Sequence, residues 1–180
     1  MRKPRPPSKR GGAGDTTPAP LDADAARGRA LKLLSRREHS AAELAYKLQR
    51  RGAESDVARQ AVEKMQDAGW QSDARYAEML VRNRIAQGYG PLRIRAELSS
   101  AGVTDADARA AIEAADCDWT ERCAEVRARK FRTPPADAAA WQKQYRFLAS
   151  HGFPSDAVRA ALKATRAPGE AWTEPFEDLP

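Results

Sequence analysis

The side chains best equipped for chemistry in this sequence are its arginines and lysines, and that chemistry is the gripping of anions. Arg82, Arg84, Arg93 and Arg95 cluster around a Gly88-Tyr89-Gly90 turn. Lys47, Arg50 and Arg51 make a second group; Arg127, Arg129, Lys130, Arg132, Lys143 and Arg146 make a third. A guanidinium stays charged and presents a planar fork of donors, so it suits phosphate and carboxylate alike. The same residues also fit a plainer description, solvated helix faces balanced by Glu and Asp. Arg84 is further placed to pair internally and hold the turn. Tyr89, between two glycines, is expected to be exposed and available to a partner.

Other chemistries are poorly served. No GxxxxGK[ST] loop exists to cradle a nucleotide. No Ser/His/Asp or Cys/His set can be assembled by argument. Cys117 and Cys123 are the only cysteines, six residues apart, and His39 and His151 stand alone. Four ligands at usable spacing are therefore missing, and neither a metal nor a disulfide is expected. The reading is a non-enzyme without cofactor. No apolar stretch reaches the length of a membrane span. The basic N-terminus lacks an apolar core, so it does not read as a secretory signal. A monomer in the cytoplasm is the expectation.

Charge is unevenly spread. The 180 residues carry 31 bases and 25 acids, a net +6. Residues 1–20 hold five bases and one acid; residues 167–180 hold four acids and no base. Residues 21–70 sum to +2, 71–116 to −1 and 117–166 to +5. A modest basic excess is compatible with nucleic acid or with an acidic protein, and does not choose between them.

What positions these residues is a repeat. Gly52, Gly102 and Gly152 are spaced by 50 residues, each four residues after a leucine (Leu48, Leu98, Leu148). At matching offsets follow Arg59, Arg109 and Arg159, then Ala61, Ala111 and Ala161, then Val62, Ile112 and Leu162. Leu-x-x-x-Gly is how a helix ends when glycine takes a left-handed position. The next residue is apolar each time (Ala53, Val103, Phe153), and Ser55, Thr104-Asp105 and Ser155 are candidate N-caps. Each glycine is read as a helix stop and nothing more. Arg59, Arg109 and Arg159 are read as ties between helices.

Composition is rich in helix formers, and no stretch alternates with strand period. Nine helices are predicted, at about 23–36, 41–51, 56–68, 73–87, 91–101, 105–116, 119–131, 136–151 and 156–165. They divide into repeats at 23–70, 71–116 and 117–166. The basic segment 1–22 and the acidic, Pro-rich segment 167–180 are expected to be disordered. Ser40 with Glu43 forms a capping box, and Trp70 packs back over Gly69. Leu31, Leu34, Leu44, Leu48, Ala58, Ala61 and Val62 face inward in the first unit. Tyr76, Ala77, Leu80, Val81, Ile94, Leu98, Ala108 and Ile112 do so in the second. Val126, Phe131, Trp141, Tyr145, Leu148, Val158 and Leu162 do so in the third. The expected fold is all-α, three tandem three-helix repeats in an elongated array.

The second repeat resembles the most recognisable stretch of the RecX family, regulators of the RecA recombinase. The residues that carry the likeness are Asp73, Tyr76-Ala77, Arg84, Gly88-Tyr89-Gly90, Leu98 and Gly102-Val103. Ser40, Glu43-Leu44, Lys47-Leu48 and Gly52 resemble the family's opening repeat; Phe147-Leu148, Gly152-Phe153 and Leu162 resemble its closing one. The resemblance covers roughly residues 24–165 and implies a curved array. It also implies binding to RecA along the groove of its filament on single-stranded DNA. Inhibition of recombinase, ATPase and co-protease activity follows, with no catalysis by the chain itself. Weak direct DNA binding is the alternative.

Overall fold

The computed structural model describes residues 21–165. Segments 1–20 and 166–180, where the terminal expectations fall, lie outside the described residues. Among the described residues are nine α-helices and one isolated bridge, Leu21 beside Ala53. The first three are α1 (Ala23–Leu34), α2 (Ala41–Gln49) and α3 (Ser55–Asp67). Next come α4 (Asp73–Gln87), α5 (Pro91–Ser100) and α6 (Asp105–Ala114). The last are α7 (Trp119–Lys130), α8 (Ala138–Ser150) and α9 (Ser155–Lys163).

Three separate cores result. Leu44, Leu48, Val62 and Met65 centre the first; Tyr76, Val81, Ile94 and Leu98 the second; Cys123, Leu148, Phe153, Val158 and Leu162 the third. In each unit the first and third helices pack most closely, then the second and third, then the first and second. No extensively packed helix pair joins two units. The likeness therefore extends from sequence to packing; each small core is centred on its own three helices, and Trp119 of α7 packs against both the second and the third.

The helix stops have one geometry. Gly52, Gly102 and Gly152 sit at φ 93°, 79° and 85°. Ala53, Val103 and Phe153 donate their N–H back to the carbonyls of Leu48, Leu98 and Leu148 at 3.1, 3.1 and 3.3 Å. Carbonyls left over at the helix end are thus satisfied, and the apolar residue after glycine is turned into the core.

Several local expectations are corrected. Ser55 and Ser155 are first helical residues, not caps; Glu54 and Pro154 hold the cap positions without a side-chain bond. The Ser40–Glu43 box is half formed. Ser40 Oγ accepts from the Glu43 N–H at 3.1 Å, but the Glu43 carboxylate turns to Arg37 and Lys47, whose charge-assisted bonds outcompete a neutral amide. Leu31 is exposed because Ala26 and Ala30 take the inward positions of α1. Trp70 is 61% exposed, and the chain buries Gln71 in its place. Arg59 and Arg109 do not tie helices directly; they pair with Asp56 and Glu63, and with Asp105, on their own helices.

The first joint, between units one and two, is polar. Asp73, at the start of α4, accepts the Ala41 N–H of α2 at 2.8 Å and the Gln71 amide at 2.9 Å. A carboxylate from one unit thereby caps a helix of the previous one. Gln71 also donates to the His39 carbonyl, and Arg75 pairs with Glu38 at 2.8 Å. Asp73→Ala removes the cap, so a loss of about 1 kcal/mol is expected in denaturant titration.

His39 is buried beside this joint, with Nδ1 3.0 Å from Glu43 Oε2. Burial pushes its imidazole below the ordinary value, against the pull of Glu43. Burial alone would raise the Glu43 carboxyl, but hydrogen bonds from Arg37 and Lys47, together with His39, outweigh it and hold the group at about 2. In both cases the unfolded chain binds protons more readily than the folded one. Stability is therefore complete above the unfolded values and is lost as pH falls. The thermal midpoint should decline from pH 7 to 5 through His39, then further below the ordinary carboxylate range through Glu43. His39→Gln should flatten the first part of that decline; a midpoint that rises on acidification contradicts the assignment.

The second joint, between units two and three, is a meeting of backbones. Gly90 N–H donates to the His151 carbonyl at 2.8 Å, and Leu92 N–H to the Gly152 carbonyl at 3.1 Å. The free donors opening α5 thus meet the free acceptors closing α8, and the two helix dipoles join head to tail. A Cβ on Gly90 would lie 2.3 Å from the Gly152 oxygen; one on Gly152 would lie 2.4 Å from Arg93 Cβ. Gly152 is more than a helix stop. It is also where two units touch. Arg122 completes the joint by donating to the Ile85 carbonyl at 3.2 Å.

Candidate binding surface

The structure sorts the basic candidates into paired and unpaired sets. Arg84 Nε lies 2.6 Å from Glu97 Oε2, and Arg93 Nε 3.3 Å from Glu97 Oε1. Arg84 also donates to Gln87. These contacts tie α4 to α5 across the glycine turn, the internal role open to Arg84 from its position. Arg95 pairs with Asp105 at 2.7 Å, where Arg109 joins it. Hydrogen bonds from Arg95 and Arg109 hold the Asp105 carboxyl below its ordinary value. Of the four middle arginines only Arg82 is exposed without an ion pair among the described residues. In the first unit Lys47 pairs with Glu43 at 2.9 Å, Arg50 leans on Tyr46, and Arg51 is exposed and unpaired.

The third unit is different. Arg129, Lys130, Arg132, Lys143 and Arg146 are exposed, and none holds an ion pair among the described residues. Arg127 departs from this group. It is 9% exposed, with Nε and Nη1 lacking a hydrogen-bond partner, so it is buried and not part of an open face.

Aromatic rings interleave with these cations. Lys130 Nζ lies 5.8 Å from the centre of Phe147, and Phe131 meets the same ring edge-on at 5.3 Å. Phe147 contacts His151 at 4.1 Å, and His151 stacks on Tyr89 at 5.6 Å across the second joint. Arg93 covers Tyr89 at 4.3 Å. His151 Nδ1 sits 2.9 Å from the Phe147 carbonyl, which requires the proton on that nitrogen. Tyr89 is consequently half-buried in a ladder and not a free tip. A strip of rings and cations runs from α7 and α8 over the joint to α5. It offers π-faces and unneutralised positive charge together, a combination that suits anionic polymers and acidic aromatic peptides.

The sequence shows half of this strip. Lys143 and Phe147 on α8 and His151 at its C-cap recur every four residues, which puts them on one face. The Tyr89–His151 contact joins residues far apart in the chain and has no local signature. A groove of about 700 Å³ also lies between the first two units, floored by Tyr46, Tyr76, Leu80 and Ala101. Its charged rim is already paired: Arg84 and Arg93 hold Glu97, and Glu43 is held by Arg37 and Lys47. No cluster of three or more metal-ligating side chains occurs among the described residues. No described helix is long and apolar enough to cross a membrane.

Comparison with known proteins matches all three units. The models of the first, second and third three-helix domains of RecX match residues 26–65, 72–112 and 116–162. Regulatory protein RecX of Stenotrophomonas maltophilia (strain R551-3) is 46% identical over 136 residues, 75% of this chain and 83% of that protein. Regulatory protein RecX of Xanthomonas axonopodis pv. citri (strain 306) is also 46% identical, over 75% of this chain and 84% of its own length. The crystal structure of RecX from Lactobacillus salivarius superposes with a TM-score of 0.67, covering 80% of this chain and 96% of that one; at 23% identity it speaks for the fold. With three family domains in order and relatives matched over most of their length, the chain belongs to the RecX family.

Proposed function

We propose that this protein is a non-catalytic regulator that binds the RecA recombinase and its filament on single-stranded DNA. In this reading it inhibits recombinase, ATPase and co-protease activity, and it acts in the cytoplasm. The observation that carries the reading is the family match in all three units, shared with relatives named regulatory proteins. The open array supports it. Three cores in series, one per unit, spread the surface along the array, as an elongated polymer partner requires. The test is ATP hydrolysis by RecA on single-stranded DNA with the protein titrated in. Suppression is expected; unchanged hydrolysis together with no co-sedimentation with filaments rejects the reading.

A second reading, direct contact with DNA, is favoured by the unpaired cations of the third unit and the rings between them. Exposed cations displace counterions from phosphates, and rings stack on bases without sequence preference. Affinity for a single-stranded oligonucleotide measured without RecA should fall steeply with salt. Each cation lost from the strip should reduce the slope of log affinity against log salt by about 0.7. A salt-independent affinity removes this reading and leaves the first intact.

A further inference from the structure

The segment that follows α9 carries the chemical complement of the strip. Residues 167–180 hold Glu170, Glu174, Glu177 and Asp178 and no base, with Trp172 and Phe176 set among the acids. The strip holds Lys130 and Lys143 beside Phe131 and Phe147, with Arg129, Arg132 and Arg146 exposed next to them in the chain, and none of these cations has an anionic partner among the described residues. Acid and ring on one side face base and ring on the other. The first and second units offer less to such a segment, because most of their candidate cations already hold carboxylates.

Connectivity brings the two together. α9 ends at Lys163 and packs on α7 and α8, the helices that carry the strip. α8 has 13 residues, which makes it about 20 Å long. Fourteen residues of extended chain reach about 46 Å, more than twice that distance. Tethering over so short a span sets a local concentration on the order of millimolar, so contacts too weak to hold a free peptide are enough to hold this one.

We propose that residues 167–180 dock on the strip of their own chain. The carboxylates meet Lys130, Lys143, Arg146 and Arg129, and the rings of Trp172 and Phe176 lie against Phe131 and Phe147. The segment then competes with whatever anionic partner the strip serves, and that partner must displace it. This inference does not rest on RecA, and its tests contain no recombinase, so either idea can fail alone.

The experiment uses the full-length chain labelled with nitrogen-15. The native protein is compared with a Trp172→Ala/Phe176→Ala variant, whose net charge is unchanged. At about 50 mM salt, where charges still interact over more than 10 Å, amide shifts should differ at Phe131 and from Lys143 to His151. The differences should vanish in a Lys130→Glu/Lys143→Glu/Arg146→Glu background. Identical spectra outside the substituted segment overturn the proposal. The second arm is affinity for a fluorescent oligothymidine. If the segment occupies the strip in about nine molecules of ten, the ring-deleted variant should bind about ten-fold more tightly than the native chain. Removing only acids could tighten binding through general repulsion; removing only rings cannot. Equal affinity of the native and ring-deleted chains overturns the competition.

Discussion

Gly152→Ala should be among the most destabilising single substitutions in this protein, at about 2–5 kcal/mol. Two costs add. A non-glycine residue in the left-handed region costs about 1–2 kcal/mol; here φ is 85°. The new methyl must also enter a joint where Arg93 Cβ and N would lie 2.4 and 2.5 Å away, and overpacking of this kind costs about 1–3 kcal/mol. Backbone cannot swing aside as a long side chain would. Gly90→Ala should behave alike without the φ term, since its Cβ would meet the Gly152 carbonyl. Gly69 is the control. Its φ is 72°, yet nothing lies within 4 Å of the added atom, so Gly69→Ala should cost only the conformational part. Thermal melts followed by circular dichroism separate the cases, at about 2–4 °C per kcal/mol for a chain of this size. Equal losses at positions 69 and 152 would mean that the second joint is not a close contact.

The second large effect concerns the strip. Reversing Arg129, Lys130, Lys143 and Arg146 to Glu should weaken the action on RecA about thirty-fold, taking about 0.5 kcal/mol for each exposed charge contact. Helical content and melting temperature should hardly move, since none of the four is engaged in an ion pair among the described residues. The same reversal at Arg84, Arg93 and Arg95 should act differently. It would set new carboxylates against Glu97 and Asp105 and open the α4–α5 tie, so stability should fall together with activity. From sequence, the middle arginines are the natural targets for a clean loss of function. Their pairing makes them poor ones.

That contrast shows where the sequence is informative. Helix type, order and limits were legible because they depend on local rules. Leu48, Leu98 and Leu148 precede glycines, Ser72 and Thr104 cap, and Pro91 opens a helix. The cores were mostly legible for the same reason, with Leu31 misplaced because alanines on its helix pack more closely. The state of each arginine was not legible. Arg84 and Arg129 are chemically alike, and only tertiary structure sets Glu97 beside one and leaves the other without a carboxylate among the described residues. Arg127 lies in a basic run yet faces inward, since its neighbours Cys123 and Val126 define the buried face of α7. The role of Gly152 at the joint was hidden too, because its partner Arg93 is 59 residues away in sequence.

We propose that this RecX-family array grips the recombinase filament through the face of its third unit whose cations hold no ion pair among the described residues. The most direct measurement is the rate of ATP hydrolysis by RecA on single-stranded DNA as the native chain and the four-residue reversal variant are each titrated in. Strong suppression by the native chain is expected, with the variant's curve displaced to roughly thirty-fold higher concentration. Coincident curves from two equally stable proteins would contradict it.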